Sequence, residues 1–264
     1  MYEDAFSPLE PLDELPPHPP PDVDVELMLQ QLEDSDPYLR MQAARAFCDV
    51  EEPRAIRHLL ALVRDPCPLV RVGAAYALGR NPAPCAPKPG APCGVEVLIE
   101  GLRWEWNGYV RKGLVWALGN ARDPRAYPVL IEVLAGDITA VRLWAASALG
   151  QLAQAQVLPG SALPEIVMAL CRGLAGDPVA PVRGNCAWSL GSLGQQLKQA
   201  LGDGDPAADQ TLYQTLTGHL LASASGDPDL GVRDDARLSL QKLADPGRVS
   251  GTESFLLEQL DNLV

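Results

Sequence analysis

Val70, Ala74, Ala77 and Leu78 fall at i, i+4, i+7 and i+8, a spacing that puts four apolar side chains on one face of a helix. The same pattern returns along the chain. It occurs in D-P-Y-L-R-M-Q-A-A-R-A-F from Asp36, D-P-C-P-L-V-R-V-G-A-A-Y-A-L-G from Asp65 and G-Y-V-R-K-G-L-V-W-A-L-G-N from Gly108. It occurs again in D-I-T-A-V-R-L-W-A-A-S-A-L-G from Asp137, D-P-V-A-P-V-R-G-N-C-A-W-S-L-G from Asp177 and D-P-D-L-G-V-R-D-D-A-R-L-S-L from Asp227. Aligning these segments superimposes Arg40, Arg71, Arg111, Arg142, Arg183 and Arg233, with separations of 31, 40, 31, 41 and 50 residues. A unit of about 31 residues, lengthened by insertions, accounts for the series. Second helical patterns fill the intervals, as in R-A-I-R-H-L-L-A-L-V, V-E-V-L-I-E-G-L, R-A-Y-P-V-L-I-E-V-L and L-P-E-I-V-M-A-L-C-R-G-L. The expected architecture is all-α: an α-solenoid of antiparallel helical pairs over residues 23–264, with about six repeats.

Each repeated position has a physical role. Asp and Pro suit a helix start, because Asp accepts free N–H groups and Pro needs no donor in the first turn. The alanines allow close approach of the next helix. Gly79, Gly119, Gly150 and Gly191 are expected to stop or relieve their helices. The arginines are expected to reach an aspartate or carbonyl of an adjoining unit and form a structural ladder. An anion-binding row is the other reading.

Residues 1–22 break the pattern. Residues 1–36 hold eleven Asp or Glu and no Lys or Arg, and seven prolines lie between Pro8 and Pro21. This composition predicts a flexible, acidic, proline-rich arm, either solubilising or docking, with Phe6, Leu9, Leu12 and Leu15 as its anchors. The insert Asn81–Gly94 has five prolines, and Cys85 and Cys93 lie within it. It reads as an idle loop, a redox pair or part of a soft-metal site. A second insert lies around Leu152–Pro164. A third follows Gly194 and contains a D-G-D-P turn without the ligand spacing of a calcium loop. The segment from Thr252 to Val264 is expected to cap the last repeat as an amphipathic helix.

Composition narrows the function. Hydrophobic residues make up 47% of the chain and aromatics 5%, which favours closely packed helices over a sheet. The net charge of -13 disfavours nucleic acid and anionic membrane as partners. No apolar run is long enough to span a bilayer. Six cysteines in 264 residues do not form a dense disulfide framework, and a cytoplasmic location is expected. His18, His58 and His219 have no nucleophile beside them, and no hydrolase elbow, zincin, phosphate-loop or dinucleotide motif is present. No catalytic residue, metal site or cofactor is expected.

The tryptophans stand apart from the packing pattern. Trp116 and Trp188 share one slot of the repeat, with Tyr76 there in the second unit and Arg45 in the first. Trp144 falls one turn earlier. This slot is expected to lie off the packing face, so that Tyr76, Trp116, Trp144 and Trp188 line a groove along the second helices. Trp104, Trp106 and Tyr109 extend it, and Arg80 and Lys112 add positive charge. The alternatives are gap-filling rings and a partner-binding groove.

The string D-P-x-x-x-V-R-x-x-A-A-x-A-L-G, best matched at Asp65–Gly79, resembles the HEAT-like repeats of phycobilisome lyases. Longer strings, among them M-Q-A-A-R-A-F-C-D-V-E-E-P-R-A-I and W-N-G-Y-V-R-K-G-L-V-W-A-L-G-N, look like a cyanobacterial HEAT-repeat protein that associates with an A-type iron–sulfur carrier. The resemblance implies a non-catalytic adaptor whose partner is an IscA-like iron–sulfur carrier. Its alternative is a phycobilin lyase subunit or chromophore-handling chaperone acting on a phycobiliprotein.

Overall fold

The computed structural model describes residues 24–81, 94–200 and 206–244. The acidic arm, the Cys85–Cys93 loop, the D-G-D-P turn and the C-terminal capping segment lie outside the described residues. Twelve α-helices are described, in antiparallel pairs. They are α1 (Val25–Gln31) with α2 (Pro37–Ala46), α3 (Ile56–Leu62) with α4 (Pro68–Arg80), and α5 (Gly94–Trp104) with α6 (Gly108–Ala121). Then follow α7 (Tyr127–Gly136) with α8 (Thr139–Gln154), α9 (Leu163–Gly176) with α10 (Ala180–Ala200), and α11 (Pro206–Gly226) with α12 (Leu230–Leu243). The second helix of each pair packs on the second helix of the next, from α2 through α12. First helices stack behind them, as α3 does on α5 and α7 on α9.

The core is continuous along this stack. Val70, Ala74, Ala77 and Leu78 are buried, and so are the equivalent Val110, Leu114, Ala117 and Leu118 of α6. Small side chains let second helices approach, and leucines from first helices, such as Leu59, Leu102 and Leu130, fill the space between layers. Asp36 Oδ1 accepts from Tyr38 N at 2.9 Å, with Pro37 in the first turn of α2. Asn107 and Asp229 cap α6 and α12 in the same way.

The glycine expectation is corrected for two of the four. Gly79 and Gly119 stand in the last turns of α4 and α6, which end at Arg80 and Ala121, but Gly150 and Gly191 lie inside α8 and α10, which run on to Gln154 and Ala200. Their role is contact between units. A β-carbon at Gly79 would collide with the Trp116 ring, and one at Gly150 with Trp188. At Gly119 the obstacle is Gln151 and Ala148, and at Gly191 it is Ser239.

This reverses the usual sign of a glycine-to-alanine change. Gly218, in the interior of α11, has no described residue within 4 Å of an added β-carbon. Gly218→Ala is expected to stabilise the fold by about 0.5–1 kcal/mol through helix propensity. Gly79→Ala gains the same propensity but overpacks the Trp116 contact, for a net loss of about 1–3 kcal/mol. Urea unfolding of the two variants checks this, and a stabilised Gly79→Ala would contradict the inter-helix role.

Candidate functional site

The repeated arginines and acids form one system along the edge where linkers enter second helices. Arg40 Nε donates to Asp65 Oδ2 at 2.7 Å, Arg71 Nε to Glu105 Oε2 at 2.6 Å, and Arg142 Nε to Asp177 Oδ2 at 2.7 Å. Arg183 donates from Nε and Nη2 to Asp227, both at 2.8 Å. Arg111 pairs with Asp137. In each case the acid belongs to the next unit. The remaining guanidinium nitrogen turns back to a carbonyl of its own linker, as Arg71 Nη1 does to Asp65 O at 2.8 Å and Arg183 Nη1 to Asp177 O at 2.9 Å. The acids also hold their own turns: Cys67 N donates to Asp65 Oδ1 at 2.8 Å and Val179 N to Asp177 Oδ1 at 2.9 Å. Asp65 therefore does not cap α4; it stands two residues before the cap position, Cys67.

Glu105 was not singled out by sequence, yet its side chain is wholly buried against Arg71. The signal was available: an acid stands six residues before five of the six arginines, at Asp34, Asp65, Glu105, Asp177 and Asp227. Arg233 completes the series. Its Nε is buried without a hydrogen-bond partner among the described residues. With donors directed to carboxylates and carbonyls, Arg40 through Arg183 do not present themselves to an external anion.

Electrostatics follow from these pairs. Burial alone would raise Glu105 and Asp177, but hydrogen bonds from Arg71 and Arg142 outweigh it and hold both carboxyls below the usual range. The Arg183 hydrogen bonds do the same for Asp227. The stability these acids contribute is present above their unfolded pKa, near 4, and is lost as pH falls through the depressed folded values. Asp235 has the opposite sign. Burial, then Asp234 and Asp229, push it up to about 6, against a smaller opposing pull from Lys242. Its ionised form costs stability above pH 6, and the penalty fades as pH falls towards 4. Asp235→Asn is therefore expected to stabilise by about 1–2 kcal/mol at pH 7.5, allowing for partial exposure, and far less at pH 4. Urea midpoints at the two pH values test this; an equal gain at both would mean shape, not charge.

The second feature is a groove of about 560 Å³ on the second-helix layer, walled by α2, α4, α6 and α8. Tyr76, Trp116 and Trp144 line it together with Lys112 and Arg80. The Tyr76 and Trp116 rings lie 5.4 Å apart at 44°. Lys112 Nζ stands 5.5 Å from the centre of the Trp144 ring, a cation–π arrangement. Arg45 and Arg80 are exposed on the rim and form no ion pair with any described residue. Asp49 is the one acid among the described residues of the lining. Cys48 also lines it, but burial pushes its thiol up to about 12, so it is not a nucleophile at neutral pH.

The sequence-predicted aromatic stripe divides into three. Trp116 is only 7% exposed, which corrects the view that its slot lies off the packing face: its ring covers Gly79 and gives the groove a buried floor. Its indole N–H has no hydrogen-bond partner among the described residues. Trp188 covers Gly150 in the same manner, two units further on, and does not line the groove. Trp104, Trp106 and Tyr109 stand on or beside the α5–α6 linker, at the ladder edge; the Trp104 ring lies 5.9 Å from the Arg71 guanidinium carbon. Trp106 and Tyr109 are 77% and 78% exposed there. Met41 and Val72 complete the groove. They sit four residues before Arg45 and Tyr76, as Lys112 does before Trp116, so stepping one helical turn back from the aromatic slot would have found them.

A further cavity of about 510 Å³ lies between α7 and α9. Its Asp137, Arg142 and Asp177 are already engaged in the ladder. Among the described residues no three His, Cys, Asp or Glu side chains gather as a metal site, and no helix is long and apolar enough to cross a membrane.

Comparison with known proteins agrees with this architecture. Residues 25–88 and 95–160 match the family model for HEAT repeats. The chain is an all-α solenoid of HEAT-like helical pairs. Among solved structures, this HEAT-like solenoid is similar to the complex of CpcE and CpcF of phycocyanin lyase from Nostoc, at 23% identity and TM-score 0.51, covering 95% of this chain and 98% of that one. A designed armadillo repeat protein in complex with a (KR)4 peptide has 17% identity and TM-score 0.58, with 84% of this chain and 100% of that chain covered. Yeast importin-β has 17% identity and TM-score 0.61 over 97% of this chain, which spans 33% of that longer one. No curated protein sequence matches the chain.

Proposed function

We propose that the protein is a binding scaffold that receives a protein partner in the groove floored by Trp116. The observation that carries this reading is the charge and shape of the groove. Among the described residues three cations and three aromatic rings converge there with a single acid, on a chain of net charge -13. Such a surface suits an acidic segment with apolar anchors. The ladder keeps the second helices in register, so the groove is held ready by the core. Of the two partners implied by resemblance, the phycobiliprotein has the better support, because the lyase complex aligns along nearly the whole of both chains. No finding ties the chain to an IscA-like iron–sulfur carrier.

The test is charge reversal. Arg80→Glu with Lys112→Glu is expected to weaken binding of a purified apo-phycobiliprotein subunit at least tenfold, with little change in melting temperature. Unchanged affinity would sink the reading.

A second reading has one observation in its favour. The rings of Tyr76, Trp116 and Trp144 offer a stacking surface for a tetrapyrrole, and Lys112 and Arg80 offer partners for its propionates. Phycocyanobilin added to the protein should then give a sharpened, red-shifted band that Trp144→Ala abolishes. An unchanged spectrum removes this reading and leaves the scaffold.

A further inference from the structure

The groove continues towards the start of the solenoid. A second trough of about 530 Å³ reaches Met28 of α1 and shares Met41, Arg45 and Asp49 with it. The acidic arm joins the chain at this end, because residues 1–22 lead directly into Asp24 and α1.

The arm's sequence fits the groove in spacing and in charge. Phe6, Leu9, Leu12 and Leu15 recur every three residues within a proline-rich run. In a polyproline II helix, with three residues per turn, all four share one face. Each turn advances about 9.3 Å, so Phe6 to Leu15 spans about 28 Å. Packed helices stand about 8–10 Å apart, so the three steps from α2 to α8 span about 24–30 Å. One anchor therefore falls to each second helix. The neighbouring face carries Asp4, Glu10 and Asp13, again three or a multiple of three apart. Residues 1–22 hold six acids and no Lys or Arg, against Arg45, Arg80 and Lys112 in the groove. The nine residues from Leu15 to Asp24 reach about 30 Å when extended, enough to return from the trough to α1.

We propose that residues 6–15 of the chain's own arm occupy the groove as an extended ligand, Leu15 towards Met41 and Phe6 towards Trp144, and that a protein partner must displace them. This rests on the groove being the binding site. The arm then acts as a tethered competitor that closes the aromatic surface until a better acidic segment arrives.

Zero-length carbodiimide coupling on the full chain, with the coupled lysine located by peptide mapping, tests it, since Lys112 is the only lysine among the described residues that line the groove. The expected product is a monomer with an arm carboxylate, Asp4 or Glu10, joined to Lys112. Mixing unlabelled and ¹⁵N-labelled protein should give no mixed pairs. Mixed pairs would overturn the proposal in favour of a second copy as occupant. Replacing Leu9, Leu12 and Leu15 with Ser should abolish the product without changing the melting temperature. A synthetic peptide of residues 1–22 should bind that triple variant about tenfold more tightly than the unaltered chain. No arm–Lys112 product, with equal peptide binding to both proteins, overturns the arm and keeps the groove as a site. The arm–Lys112 product together with an apo-phycobiliprotein subunit that binds equally well after Arg80→Glu and Lys112→Glu keeps the arm and removes the partner reading.

Discussion

Arg71→Ala is expected to lower the unfolding free energy by about 3–5 kcal/mol, because it leaves a buried carboxylate without its cation. The Glu105 side chain is fully buried and accepts two guanidinium hydrogen bonds and the backbone N–H groups of Trp106 and Asn107. After truncation only the two backbone donors remain. The Arg71 bond to Asp65 O is lost at the same time. Two companion variants separate these effects. Arg40→Ala removes a rung whose arginine is more exposed, and is expected to cost less. Arg71→Met combined with Glu105→Leu removes both charges and is expected to recover most of the loss. Urea denaturation gives all three values. A loss below about 1 kcal/mol for Arg71→Ala would mean that the rung behaves as a surface pair.

Trp116→Ala is the second large effect, with an expected loss of about 3–5 kcal/mol. The ring is almost wholly buried and fills the space that Gly79 leaves between α4 and α6. Its loss opens a cavity between units, and the rigid helical stack cannot collapse to fill it. Gly79→Leu in the same chain is expected to restore part of the stability. Trp188→Ala should behave likewise over Gly150, but less severely, because Trp188 is only partly buried. Thermal and urea unfolding measure both. Loss of partner binding in Trp116→Ala alone therefore says little, since the groove loses its floor.

Much of this was legible in the sequence because repetition multiplies weak signals. One V-R-x-x-A-A string is ambiguous, but six related segments in register define helical pairs and align the arginines. A single repeat does not show the role of a residue that depends on the neighbouring unit. Gly150 and Gly191 look like helix ends in a single repeat, and only stacking reveals what fills the missing side chain. Trp116 sits at the edge of the apolar stripe of its own helix, so its burial comes from α4. Trp104, Trp106 and Tyr109 lie near the groove residues in sequence but at another edge in space. Glu105 is hidden in the sequence because the other units carry aspartate in its place, although charge, not side-chain length, satisfies the arginine.

Trp144 separates binding from folding most cleanly. It is only partly buried, it lines the groove, and its ring faces Lys112. The most direct measurement is a calorimetric titration of an apo-phycobiliprotein subunit into the unaltered chain and into Trp144→Ala, with melting temperatures recorded for both. The expected result is binding by the unaltered chain and at least a tenfold weaker affinity in the variant, at a stability cost of about 1 kcal/mol or less. Equal affinities, or a variant that loses binding only by unfolding, would contradict the groove as the receiving surface.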